Sequence, residues 1–258
     1  MKRAAFSLVE LSIVLVILGL LTGGILSGQS LIRAAELRSA STEFSRYYSA
    51  AQAFRDKYFQ LPGDFNNAQA FWGVANATPA TCVTTASTDS KTCNGDSDGQ
   101  LIPSAGSNDS YRFWQHLANA GLIEGSYTGV QDGTTNYSST INNSPRSKVN
   151  GGLWFVWNWG TVSGNPNHFD GVYNNFFELG AATANADPNT ALFKPEELWN
   201  IDTKLDDGRP ATGKVVARGQ TADGFTKCTD ATVGSTLTAN YLLSNSSLAC
   251  IAIFRNLF

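Results

Sequence analysis

Histidine, methionine and charge are all scarce in this chain. Among 258 residues there are two His, one Met and only 15% charged side chains. His116 and His168 stand far from any cysteine in sequence, and no Cys-x-x-Cys occurs, so the spacing of a zinc site is missing. Gly-x-Ser-x-Gly, a phosphate-binding glycine loop signature and a Cys/His nucleophile arrangement are missing too. Nor is there a surplus of base. The balance of 18 Lys and Arg against 21 Asp and Glu gives a net charge of −3, which leaves no electrostatic footprint for nucleic acid. These absences argue against an enzyme. Long apolar runs are missing as well, with one exception at the N-terminus.

That exception organises the chain. Lys2 and Arg3 precede an apolar run from Leu11 to Leu26, interrupted only by Ser12, Thr22 and the glycines Gly19, Gly23 and Gly24. A helix from Phe6 to Leu26 would be roughly 31 Å long, about one hydrocarbon core. The two bases would keep the short N-terminal end in the cytoplasm and send the remainder outward. Glu10 is the anomaly, since a carboxylate in a spanning helix costs ~3 kcal/mol on insertion scales. Within one helical turn the chain offers it no partner beyond the basic leader. If the leader were removed before Phe6, the new α-amino group could pair with Glu10 of a neighbouring copy.

Phe6-Ser7-Leu8-Val9-Glu10-Leu11 resembles the cleavage and methylation motif of type IV pilins and type II secretion pseudopilins. The resemblance implies that a prepilin peptidase cuts between Ala5 and Phe6 and methylates the Phe6 amine, with Glu10 setting the register of assembly. The family usually has Gly before the cut; Ala5, also small, stands there. The implied organisation is a leader over 1–5, a transmembrane and assembly helix over 6–30, and a periplasmic or extracellular domain over 31–258 that includes the second half of the helix. The implied partners are other pilin or pseudopilin subunits, the peptidase and the inner membrane, which the chain crosses once before joining a periplasmic or cell-surface filament. A signal peptide would want a shorter apolar core and no Glu before it. An uncleaved anchor is the other competing reading.

Past Leu26 the helical pattern continues. Leu31, Ile32, Ala35, Phe44, Tyr47, Tyr48, Ala51, Phe54 and Tyr58 recur along one face, with Arg38, Glu43, Arg46, Arg55 and Asp56 at the other positions, until Leu61-Pro62-Gly63-Asp64 stops it. Gly19, Gly23, Gly24 and Gly28 form two overlapping small-xxx-small pairs, which suit close helix contact or are simply common in membrane helices. Four cysteines follow, Cys82, Cys93, Cys228 and Cys250, in what would be an oxidising compartment. Three pairings are possible, and proximity in sequence favours Cys82–Cys93 and Cys228–Cys250.

Two acidic loops invite a metal reading. In Asn94-Gly95-Asp96-Ser97-Asp98-Gly99-Gln100-Leu101, oxygen side chains at alternate positions followed by Gly resemble the first half of a calcium loop, led by Asn94, Asp96 and Asp98. The closing Glu is missing, because Ala105 stands at its position. Asp89, Asn108 or Asp109 are candidates to replace it, and a plain Asp/Gly turn beside a disulfide is the competing reading. Asp202, Asp206 and Asp207 could bind a divalent ion, as acidic loops do in some major pseudopilins; a capped turn with Lys204 or Arg209 as counter-ion is the alternative. No cofactor other than calcium is suggested.

The remaining elements are coarser. A helix is predicted over Ser110 to Ala120, capped by Asn108 or Asp109 and ended by Gly121, with His116 in a structural role. The segments from Phe113 to Gly129 and from Ile201 to Val215 are similar to stretches in large prepilin-type proteins of unknown role. Gly152 to Trp159 reads as a strand with aromatics on both faces, hence a core or interface strand or a sugar-stacking platform, with Val172 to Leu179 as its partner. Pro195 opens a helix with Leu198, Ile201 and Leu205 as its apolar stripe. Val215 to Ala217 and Leu248 to Phe254 supply further strand ends. The expected fold is α+β: a long N-terminal helix packed on a loop-rich antiparallel-sheet domain. The expected function is a structural subunit of a type IV pilus-like filament; a minor pseudopilin of a type II secretion or DNA-uptake machine and a non-polymerising, membrane-tethered binding or enzymatic domain are the alternatives.

Overall fold

The computed structural model describes residues 7–104, 106–220, 224–255 and 257. Helix α1 (Leu8–Tyr58) runs unbroken for 51 residues, or about 77 Å at 1.5 Å per residue. Its two halves meet different surroundings. From Leu8 to Ile32 every large apolar side chain is exposed, whereas Ala40, Tyr47, Ala51 and Phe54 form a buried stripe at spacings of seven, four and three. Leu31 and Ile32 thus belong to the projecting half, and docking starts further along, with Leu37 and Ala40. The helix ends on Phe59, which adopts the left-handed conformation (φ 58°) and donates its N–H to the Arg55 carbonyl at 2.8 Å.

Two one-turn helices follow, α2 (Ala68–Trp72) and α3 (Pro79–Cys82), then α4 (Asp109–Asn119). Asn108 holds the N-cap position of α4 without capping it. Its backbone is left-handed (φ 57°), and its amide donates instead to the Val83 carbonyl at 2.6 Å. The strands are β1 (Gly152–Trp157), β2 (Gly160–Val162), β3 (Gly171–Tyr173), β4 (Phe176–Ala181), β5 (Val215–Gly219) and β6 (Cys250–Phe254), with α5 (Pro195–Leu205) between β4 and β5. An antiparallel sheet of order β1-β4-β6-β5 carries the domain, and β2 and β3 form a separate small hairpin.

The alternation of side chains explains which face α1 covers. Trp154 and Val156 of β1 lie opposite Leu179 and Phe177 of β4, which lie opposite Ala252 and Phe254 of β6. On this face Phe44 of α1 stacks on Phe254 at 4.4 Å, and Tyr47 packs edge-on against Trp114 of α4 and Trp154 at 5.1 and 5.5 Å. The other face, with Phe155, Glu178, Ile253 and Val216, is also buried. Trp154 and Phe155, on opposite faces of β1, are therefore core, while Trp157, on the second face, is half-buried and stacks on Tyr137 at 5.0 Å. There Arg218 bridges the carboxylates of Glu178 and Asp187.

The partner of β1 departs from the expected continuous strand. Residues 171–173 pair with β2 and residues 176–181 with β1, because Asn175 turns out of the ladder. Its buried side chain accepts from the Leu101 N–H (2.9 Å) and the Asn158 amide (3.0 Å), and donates to the Gly99 carbonyl at 2.8 Å. Those contacts repay the lost ladder bonds.

Candidate functional site

The projecting half of α1 begins in a capping box. Ser7 accepts the Val9 N–H at 3.3 Å, and the Glu10 carboxylate accepts the Ser7 N–H at 2.9 Å. This corrects the expectation that the chain offers Glu10 no partner beyond the leader. One oxygen of Glu10 closes its own helix, and the other meets no donor among the described residues. Ala5 and Phe6, the expected processing site, lie outside the described residues. Beyond Glu10 the few hydroxyls are satisfied within the helix: Ser12 on the Val9 carbonyl, Thr22 on Leu18 and Ser27 on Gly23, at 2.8 to 3.0 Å. Among the described residues nothing beyond the helix's own backbone would lie within 4 Å of a Cβ added at Gly19, Gly23, Gly24 or Gly28, so the small-residue face is open. α1 is the one helix among the described residues long and apolar enough to cross a membrane.

The change from projecting to docked helix is marked by two carboxylates. Arg33 makes a bidentate pair with Glu197 of α5, both bonds 2.7 Å, and also reaches Glu36 (2.9 Å) and the Leu192 carbonyl (3.0 Å). Burial raises the Glu197 carboxyl, but its bonds to Arg33 and to the Lys194 N–H outweigh that and leave it below its ordinary value. Ten residues on, Glu43 is buried at 5% exposure. It was expected among the polar positions of the helix. Instead it accepts from the Ser147 hydroxyl (2.7 Å), the Lys148 N–H (2.8 Å) and the Trp154 indole (2.8 Å). Nothing in a helical pattern distinguishes this acid from its neighbours. Its signal would have been Trp154, a buried indole needing an acceptor.

The cysteines form Cys82–Cys93 and Cys228–Cys250. The first bridge ends one residue before the acidic loop 94–99, and there the structure rearranges the expected ligands. Asn94 points away, accepting the Gln69 N–H at 2.9 Å at the start of α2. Asp96 and Asp98 are joined by Asp64, from the turn that stops α1, with one carboxylate oxygen from each within 4.8 Å of the other two. Asp64 accepts the N–H groups of Asp98 (3.1 Å) and Gly99 (2.8 Å). Burial, with Asp96 close by, lifts its pKa to about 6. Sequence reasoning missed Asp64 because Leu61-Pro62-Gly63-Asp64 reads only as a helix stop. The available signal was an acid directly after a glycine forced to positive φ (φ 90°), where a side chain would strike the Asp109 carbonyl.

The second trio is engaged differently. Asp202 accepts the Tyr241 hydroxyl (2.8 Å) and the Gly208 N–H (3.1 Å), Asp206 accepts the Lys214 and Val215 N–H groups, and Asp207 accepts from Arg209 N–H (2.9 Å) and Thr212 (2.6 Å). This is a turn knitted by its carboxylates. Lys204 and Arg209 form no ion pair with it among the described residues, so the counter-ion part of that expectation is replaced by backbone donors. His116 is fully buried and stacked against Trp72 at 5.4 Å. Its Nδ1 accepts the Gly63 N–H at 3.0 Å and its Nε2 meets Thr92 at 2.9 Å. Burial lowers its pKa to about 3, so it is a neutral strut under the Asp64 turn.

No family model, curated protein or solved structure matches this chain.

Proposed function

We propose that the chain is a structural subunit of a type IV pilus-like filament, inserted as a single-pass membrane precursor and cut before Phe6. The observation that carries the reading is the form of α1. Residues 8–32 stand clear of the domain and are apolar on all sides, with Glu10 the single charged group among them. A water-soluble domain has no use for such a surface. The segment suits lipid first and the same segment of neighbouring copies afterwards. In the assembled state the Glu10 oxygen left over from its capping box would receive the Phe6 amine of another copy. The resemblance of Phe6 to Leu11 to the prepilin motif supports the same reading.

A low-copy pseudopilin of a secretion or uptake machine is the second reading. The 258-residue length favours it, since abundant filament subunits of the resembled family are usually smaller. Counting copies in purified filaments separates the two. Intact-mass measurement of the chain recovered from its native membrane tests both. The expected result is loss of Met1 to Ala5 and gain of one methyl group. A working protein that keeps its leader, or whose assembly ignores Glu10→Ala, overturns the proposal.

A further inference from the structure

Where α1 ends its apolar half it runs straight into the wall of a cavity. Ile32 is the last large apolar side chain exposed on the projecting segment, and Ala34, about 3 Å further along the axis, already lines a cavity of about 500 Å³ between α1 and α5. The cavity reaches Thr42, about 12 Å beyond Ala34. Its apolar lining, Leu37, Ile201 and Leu205, is packed against the core, and Arg38, Lys204 and Ser41 supply its donors. No carboxylate lines it. Neither base forms an ion pair among the described residues, and the acids nearest in sequence are engaged elsewhere. Glu36 and Glu197 hold Arg33, while Asp202, Asp206 and Asp207 accept hydroxyl and backbone donors. Glu196 of α5 is not part of the lining. A second cavity against α1 differs, because there Glu36 stands among the bases Arg146 and Lys148.

We infer that this cavity between α1 and α5 holds the headgroup phosphate of an anionic phospholipid from the leaflet on the domain's side of the membrane. The inference rests on the single-pass reading of α1 and is independent of filament assembly. Position is the first argument. Headgroups extend about 5–8 Å beyond the hydrocarbon core, and the cavity begins within that distance of the last exposed apolar residue of the projecting half. Charge is the second. Two bases without a counter-ion line one cavity, and guanidinium and ammonium are the side chains that bind phosphate, the first through a bidentate fork. The mixed lining is the third. A free phosphate leaves Leu37, Ile201 and Leu205 uncovered, whereas the glycerol and first methylenes of a lipid cover them. Arg33 is already neutralised, and its pair with Glu197 holds α5 beside α1, which fixes the two sides of the cavity. A lipid bound here rests the domain on the membrane surface while the chain is a single inserted copy.

The test uses the full chain in neutral detergent with phosphatidylglycerol or phosphatidylcholine added, read by native mass spectrometry and thermal unfolding. The same chain in vesicles of either lipid is checked for insertion by alkaline extraction. The expected result is one phosphatidylglycerol retained per chain after phosphatidylcholine is lost, with a rise in Tm that phosphatidylcholine does not give. A base near a membrane surface is worth a factor of about 5 in binding, so Arg38→Gln and Lys204→Gln should each weaken retention about 5-fold and the double variant ~25-fold. Both positions are exposed, so these variants should fold as the parent does. Lys57→Gln, in the last turn of α1, should change nothing. Equal retention of the two lipids, a double variant that binds like the parent, or an equal rise in Tm with inorganic phosphate alone overturns the assignment. A shifted monomer–dimer equilibrium in Arg38→Gln without loss of lipid gives the cavity to a second copy instead, and overturns it too. A chain extracted from the vesicles refutes the single-pass reading, whereas an inserted chain that ignores phosphatidylglycerol refutes the cavity assignment alone.

Discussion

Replacing Glu43 by Ala should weaken the docking of α1 on its domain. The substitution leaves three donors without an acceptor: the Trp154 indole, the Ser147 hydroxyl and the Lys148 N–H. Lys148 is exposed, so its N–H recovers water, but Trp154 is fully buried and Ser147 nearly so. A hydrogen bond to a charged acceptor contributes ~1.5–3 kcal/mol, and a stranded buried donor costs ~1–3 kcal/mol. Two such donors give a loss of about 4 kcal/mol, or ~8–16 °C in Tm for a domain of this size. Glu43→Gln tests the reasoning. Its remaining oxygen can serve Trp154 and Ser147 while its amide faces the hydrated Lys148 side, so the loss should be only ~1–2 kcal/mol. Thermal and urea unfolding of the full chain in detergent, read by near-ultraviolet circular dichroism of the tryptophans, measures both. An Ala variant within 1 kcal/mol of the parent, or a Gln variant as damaged as Ala, refutes the assignment of Glu43 as a buried acceptor.

Three further outcomes follow from the same structure. Arg218→Met strands Glu178 and Asp187 as buried acids without a counter-ion and should cost ~3–5 kcal/mol in urea unfolding. Removing Cys228–Cys250 by a double Ala substitution opens a 22-residue separation at the start of the inner strand β6 and should cost ~3 kcal/mol, checked against the parent with and without reductant. Stability should fall as pH rises from the unfolded carboxyl range near ~4 toward 8, because burial raises Asp109, Glu178 and Asp202 in the fold and their contribution is lost as they ionise; Asp109→Asn should remove its share of that fall and leave the rest. His116 acts at the other end: its lowered pKa removes stability as pH drops from ~6.5 toward 3, and calorimetric Tm across pH resolves the two limbs.

What was legible in the sequence was what repeats locally. The periodic apolar stripe gave α1 through Tyr58, Pro195 with its following acids gave the start of α5, and the aromatic run gave β1. Illegible were the contacts made by single polar side chains across the chain. Asn175 splits one expected strand into two because its partners Leu101 and Gly99 are over seventy residues away. Asn108 has the composition of a cap but serves the Val83 carbonyl. Glu43 and Asp64 look like a helix-surface acid and a turn residue, and only tertiary neighbours make one an acceptor for Trp154 and the other an acceptor for the Asp98 and Gly99 N–H groups of the 94–99 loop. The disulfides were accessible by proximity in sequence, a rule that works when the loops closed are short.

The energetics of α1 separate its two halves more sharply than its unbroken geometry does. Fifteen large apolar side chains between Leu8 and Ile32 are exposed. At ~1.5–3 kcal/mol each, burying them is worth tens of kcal/mol, several times the ~5–15 kcal/mol stability of a typical domain. That half is therefore committed to an apolar surround, whatever the domain does. Lipid and a bundle of identical helices both meet that demand, and apolar burial discriminates poorly between them because lipid tails are as apolar as Leu. Discrimination must come from the polar exception. If the proposed cleavage and assembly hold, the second oxygen of Glu10 would lack a donor in lipid and gain a charged one beside the free amine of another copy, so the ~3 kcal/mol cost of the acid in the membrane would become the bias toward assembly. On this reading Glu10 costs the inserted monomer stability, and the docked half, locked through Arg33–Glu197 and Glu43, fixes each domain to its helix so that register set at one end is transmitted to the other.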